Sequence, residues 1–138
     1  MLDADLKDYL IKLSEIINKI MPLNCVILFG SRAGSDYMQN NDLDTIFVRN
    51  FKESFINRST MIYEHYKLSL DLDAFCYKAN EFEKIFHDGV ESILDAIDHG
   101  ICVFGFDFYN DYKEKLEKLK KKDLKEILPF GYFQKVYS

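Results

Sequence analysis

Glycine and proline are scarce in this chain, six and two residues among 138. That leaves no room for a long flexible linker, and a chain of this length fits one domain that buries roughly 68–70% of its unfolded surface. Cysteine is sparse and odd in number. Cys25, Cys76 and Cys102 sit in apolar runs without CxxC spacing, so neither a disulfide framework nor a zinc site is indicated. Buried free thiols in a reducing compartment are expected. The start, Met-Leu-Asp-Ala-Asp, lacks the basic region of a signal peptide, and no apolar run approaches the ~18 residues of a membrane span. The chain is therefore expected to be cytoplasmic. Positive charge is also short: the net charge is −5. This argues against a protein that coats nucleic acid, because that affinity comes from clustered Lys and Arg on phosphates. Nucleotide substrates stay open, since bound cations screen phosphates locally.

What the chain does have is apolar material, 48% hydrophobic residues with 12 Phe and 9 Tyr. Leu6, Leu10, Leu13, Ile17 and Ile20 recur at helical spacing and predict a helix from about residue 4 to 21, ended by Pro22. Leu23 to Phe29 is nearly all apolar and reads as a strand buried on both faces. Leu43 to Val48 and Leu68 to Tyr77 read as further strands. Between them, Phe51, Phe55, Ile62 and Tyr66 predict one side of a helix. Phe82, Ile85, Phe86, Val90, Ile93, Leu94 and Ile97 predict more helix, split at Gly89 and ended by Gly100. Ile101 to Phe104 is a short fourth strand. Tyr109, Tyr112, Leu116, Leu119, Ile127 and Leu128 suggest a last helix stopped near Pro129. Helices alternate with strands, so the class is α/β with about four strands. Periodicity alone leaves open whether the sheet is mixed.

The chemistry concentrates in one stretch. An apolar strand runs into Gly30-Ser31, ten residues follow, and Asp42-Leu43-Asp44 opens the next strand. Residues i and i+2 of a strand share a face about 6.6–6.8 Å apart, so Asp42 and Asp44 project together. Asp71 and Asp73 do the same from the third strand. If those strands are neighbours, three or four carboxylates converge. Two like charges 4 Å apart repel by ~4 kcal/mol at an effective dielectric of 20. Either some of these acids are protonated or a divalent cation sits among them. Oxygen ligands with no His or Cys nearby select Mg²⁺ or Mn²⁺, and two such ions ~3.5–4 Å apart can serve both the attacking and leaving oxygens of phosphoryl transfer. Glycine lets backbone approach a ligand, Ser31 offers an N–H and a hydroxyl to a phosphate, and Arg32 is a further counter-charge. The competing reading makes Asp42 and Asp44 solvated turn residues after Asn40-Asn41, and Arg32 a surface residue.

These residues resemble the minimal nucleotidyltransferases of the polymerase-β superfamily. Gly30-Ser31, ten residues, then Asp42-Leu43-Asp44 matches the family signature, and Asp73 fits the late third carboxylate better than Asp71. The likeness spans roughly residues 10–104. It implies an α/β (α+β) nucleotidyltransferase domain over 1–110, with a mostly mixed sheet of four to five strands flanked by helices. Residues 111–138 would add a C-terminal helix and aromatic tail packed on the same domain. It further implies that Asp42, Asp44 and Asp73 are catalytic and bind two Mg²⁺ (or Mn²⁺) ions, Asp73 also helping to deprotonate the acceptor. Gly30 and Ser31, with Arg32, would hold the triphosphate of ATP or another nucleotide. Members of this small type often act beside a helical partner of the HEPN class as a toxin–antitoxin pair, and some adenylylate that partner on tyrosine. The expected acceptor is accordingly a hydroxyl of a protein partner. No direct nucleic-acid or membrane partner is expected, and self-association stays open.

The chain departs from the family pattern. Gly34 arrives one residue early with Ser35 in the usual glycine position, Asn41 replaces a common serine, Thr45 replaces a bulky aliphatic, and Asp71 adds a fourth acid. An alternative reading follows, an antitoxin of the same fold that masks its partner without catalysis; a metal- or nucleotide-sensing module is weaker. His65, His87 and His99 have no ligand spacing. Between residues 113 and 126 seven lysines face four acids, most simply the wet side of a helix, with an anionic docking surface as the alternative. The aromatic tail from Phe130 to Tyr137 either folds back or makes a subunit contact.

Overall fold

A computed structural model describes residues 3–29 and 42–123, the side chains of Asp3, Asp42 and Asp123 excepted. The elements run α1 (Asp3–Ile20), β1 (Cys25–Phe29), β2 (Asp42–Val48), a 3₁₀ turn (Phe55–Asn57), α2 (Thr60–His65), β3 (Asp71–Tyr77), α3 (Ala79–His87), α4 (Glu91–His99), β4 (Ile101–Phe104) and α5 (Phe106–Asp123). Four strands form one sheet in the order β3-β2-β1-β4. β1 is antiparallel to both β2 and β4, whereas β2 and β3 are parallel. The class is thus α+β with a mixed sheet.

Both faces of the sheet are covered, which is why β1 reads as an unbroken apolar run. On one face, Leu6, Leu10, Leu13 and Ile17 of α1 pack with Val26, Leu28, Leu43, Phe47 and Ile62. On the other, Phe82 and Phe86 of α3, Leu94 and Ile97 of α4, and Tyr109, Tyr112 and Leu116 of α5 cover Cys25, Ile27, Ile46 and Val48. The strand alternation assigns each residue: Leu43, Thr45 and Phe47 go to the first layer, while Asp44, Ile46 and Val48 share the second.

Several expectations need correction. Ile20 is 57% exposed and Met21 is buried in its place, because Met21 lies four residues beyond Ile17 and the helix has ended. The segment 51–66 is not one helix. Phe51 is buried before any turn begins, Phe55 is exposed on the short 3₁₀ turn, and only Thr60–His65 is α-helical. The third strand starts at Asp71, not Leu68, and Val90 is exposed at the start of α4. The split at Gly89 is real; it adopts φ 70°, a left-handed conformation that glycine takes without steric cost. Pro129 and the aromatic tail lie outside the described residues. No described helix is long and apolar enough to cross a membrane.

Candidate functional site

The sheet register decides which carboxylates meet. In the parallel β2–β3 pair, Asp42 is opposite Asp71 and Asp44 is opposite Asp73. Register partners on neighbouring strands point to the same face with backbones about 4.7–4.9 Å apart. Asp44 and Asp73 therefore stand side by side on the α3–α5 face, at the end of the sheet beyond the apolar core. Asp44 is half-buried and Asp73 exposed. On the other flank of Asp44, the antiparallel register places Phe29, the last residue of β1. One row across the sheet thus reads Phe29, Asp44, Asp73.

Of the other expected site residues, Asp42 is on β2, opposite Asp71, but its side chain is not among those described. Gly30, Ser31 and Arg32 lie outside the described residues. Among the described side chains no group of three or more His, Cys, Asp or Glu gathers as a ready metal site, so the described part of the candidate ligand set is the pair Asp44 and Asp73. Its donors are carboxylate oxygens alone, the set suited to a hard divalent cation. His65, His87 and His99 instead bond locally, to the Met61 carbonyl at 2.9 Å, to Glu83 at 2.9 Å and to Asp98 at 3.2 Å.

Thr45, one of the departures from the family pattern, faces the α1 layer and is fully buried. Among the described residues its hydroxyl has no hydrogen-bond partner. The substitution thus alters the packing beneath β2 and leaves the carboxylate face untouched.

Three features had no counterpart in the sequence pattern. The rings of Phe29 and Phe75 meet edge to face on the carboxylate face, centroids 5.5 Å apart. A depression of about 550 Å³ opens beside Asp73, lined by Tyr63, Tyr66, Ser69, Asp71 and Asp73 among others. Tyr63 accepts the Ala74 N–H at 3.1 Å, and the Tyr66 hydroxyl donates to the Leu70 carbonyl at 2.7 Å. The third feature is Arg58, which holds Glu81 of α3 through two hydrogen bonds at 2.7 and 3.2 Å and also donates to the Cys76 carbonyl of β3. Its guanidinium holds the Glu81 carboxyl below the usual carboxylate range. Residues 23 apart carry no periodic signal that would have paired them.

No family model matches the chain, and no curated protein matches it. Among solved structures, the chain is similar to a candidate nucleotidyltransferase from Sulfolobus solfataricus, with 25% sequence identity over 59% of this chain and 75% of that one, at a TM-score of 0.49.

Proposed function

We propose that the chain is a nucleotidyltransferase that moves a nucleoside monophosphate, AMP from ATP in the first instance, to a hydroxyl group of a protein partner. The observation that carries this reading is the register pairing of Asp44 with Asp73. It sets two carboxylates from separate strands side by side at the end of β1 that leads into Gly30-Ser31. Like charges brought close on one face repel, and a divalent cation between them removes that repulsion.

Asp44 and Asp73, joined by Asp42, would hold magnesium, which when bound stabilises charge on the attacking and leaving oxygens. Asp73 is the outermost of the described pair, on the strand at the edge of the sheet among the described residues, and it is exposed, so an acceptor reaches it from solvent. There its carboxylate takes the proton of the acceptor hydroxyl. That oxygen bonds to the α-phosphorus, the bond from the α-phosphorus to the bridging oxygen breaks, and pyrophosphate leaves. Asp44, half-buried beside Phe29, keeps a fixed position during the exchange. Gly30, Ser31 and Arg32 are the proposed holders of the triphosphate.

The proposed partner is a helical protein of the HEPN class, with this chain as the antitoxin of the pair. The test incubates the purified chain with α-labelled ATP, magnesium chloride and the product of a neighbouring reading frame. Label on the partner that disappears with Asp44→Asn is the expected result. Equal labelling by the variant would end the site assignment, and binding of the partner without any nucleotide binding would instead identify an antitoxin that only masks it.

A further inference from the structure

The outer edge of β3 carries a second depression beyond the one at Asp73. It measures about 380 Å³ and is lined by Phe55, Ile56, Arg58, Phe75 and Tyr77 among others. Phe55 is 70% exposed, Ile56 87% and Phe75 40%, a grouping of large apolar side chains that a monomer rarely leaves in water without a use. The two depressions follow each other along one strand: residues 71–73 line the first and 74–77 the second. They cover the seven residues of β3, roughly 20 Å of strand at about 3.3 Å per residue. Along the edge two side chains meet the strand, the Tyr63 hydroxyl on the Ala74 N–H and Arg58 on the Cys76 carbonyl.

We propose that this edge is the acceptor-docking surface, and that its occupant is an extended polypeptide presenting its hydroxyl residue to Asp73, a basic side chain to Asp71 and an apolar side chain to Phe55 and Ile56. The inference rests on the nucleotidyl-transfer reading and names what that site accepts. A small hydroxyl compound fills one depression and leaves the other idle, whereas an extended chain spans both. Charge sets the direction. Among the described residues the first depression is lined by two carboxylates and by no Lys or Arg, so it complements a cation next to the hydroxyl. In the second, Arg58 is already engaged with Glu81, which leaves an apolar surface for an apolar residue. Asp71, exposed and two residues from Asp73 on the same face, thereby acquires a role outside the proposed metal set.

The test is an array of immobilised synthetic peptides, each with one Tyr, Ser or Thr. Neighbours are varied between Lys and Glu, and an apolar or Ser residue is placed several positions away. The array is incubated with the chain, magnesium chloride and the four α-labelled ribonucleoside triphosphates. Label should concentrate on peptides that carry both Lys and the distant apolar residue. Ile56→Ser and Phe55→Ser change exposed side chains; each should lower that labelling at least tenfold with nucleotide binding, read by titration calorimetry, unchanged. Asp71→Asn should erase the preference for Lys. Labelling indifferent to the apolar residue and to Ile56→Ser overturns the groove alone. Nucleotide binding that depends on Asp44, with no peptide labelled, also overturns the groove and leaves nucleotidyl transfer standing. Absence of nucleotide binding removes both.

Discussion

Phe29 and Phe75 touch edge to face across β2, their ring centroids 5.5 Å apart and their planes at 66°. Phe29 is the register partner of Asp44, and Phe75 lies one side-chain row inward from Asp73 on the same face. The two rings therefore form an apolar wall against the carboxylate pair. Low polarizability on that side weakens screening, so repulsion between Asp44 and Asp73 and their attraction for a cation both grow relative to an open surface.

From that wall follows an expected dependence of stability on magnesium. A ligand that binds only the folded chain adds about 1.4 kcal/mol when present at tenfold its Kd, so thermal unfolding should move upward on titration with magnesium chloride and return with EDTA. Asp44→Asn and Asp73→Asn should each abolish the response. In EDTA Asp73→Asn should be at least as stable as the parent, since it removes a like charge from an exposed position beside Asp44. An equal magnesium response in all three proteins would place the cation elsewhere.

The carboxylates themselves were legible because an Asp-x-Asp spacing on an apolar strand has a definite geometric meaning. Their partnership was not. Whether Asp44 faces Asp73 or slips by a residue depends on the direction and register of β3, set by the connection through residues 49–70, and periodicity reads residues 51–66 of that connection as one helix. Phe51, Phe55, Ile62 and Tyr66 suit helical spacing, but Phe51 enters the core ahead of the turn while Phe55 stays in solvent. Periodicity cannot distinguish those outcomes. By contrast α1, β1 and β4 were readable, because burial on one helix face or both strand faces leaves an uninterrupted pattern.

Gly105, between β4 and α5, should be the least replaceable glycine of the described chain. Its φ is 79°, and a Cβ there would stand 2.0 Å from the Asn24 carbonyl oxygen. The left-handed conformation costs a non-glycine residue about 1–2 kcal/mol, and forcing atoms into packed space about 1–3 kcal/mol. Gly105→Ala should therefore lose about 2–5 kcal/mol, seen as a lower denaturation midpoint with unchanged slope. Gly105→Asn tolerates the dihedral better but carries the same Cβ, and should fare no better. Recovery in the Asn variant would show that the dihedral, not the contact with Asn24, is limiting.

The Arg58–Glu81 pair predicts an acid-sensitive contribution. Glu81 accepts from Arg58 and from the Lys78 N–H at 2.7 Å, so its folded-state pKa is lowered, first by the hydrogen bond to Arg58. A lowered carboxylate pKa means stability fully present above the unfolded value of about 4.3 and lost as pH falls through the folded value. The Glu81 side chain is 39% exposed, so the contribution is held to about 1 kcal/mol, the scale of a partly solvated pair. Glu81→Gln should be less stable than the parent at pH 7, and the two melting curves should converge as pH falls through the lowered folded-state value. Arg58→Met should cost more at pH 7, because it also strips the Cys76 carbonyl of its donor. A parent–Gln gap that is constant with pH would assign the contact no ionic character.

Thiol reactivity offers a direct probe of the two core layers. Cys76 lies beneath β3 in the α1 layer, and burial pushes its pKa up to about 12. At pH 8 about one molecule in 10⁴ carries that thiolate, against about one in four for a free cysteine of pKa near 8.5. Cys25, in the opposite layer, is raised by its hydrogen bond to Cys102 and by burial, whereas the same bond lowers Cys102. Because the thiolate is the reacting species and all three thiols are buried, an aromatic disulfide reagent should leave Cys25 and Cys76 unlabelled in the native protein, with Cys102 the first to react as the fold loosens. Labelling of the other two should then rise with denaturant in step with loss of the helical circular-dichroism signal. Cys76 modified rapidly in the native state would mean that the β3 edge opens without global unfolding, and Cys102 lagging behind Cys25 would mean that the proton of that pair sits on the opposite sulfur.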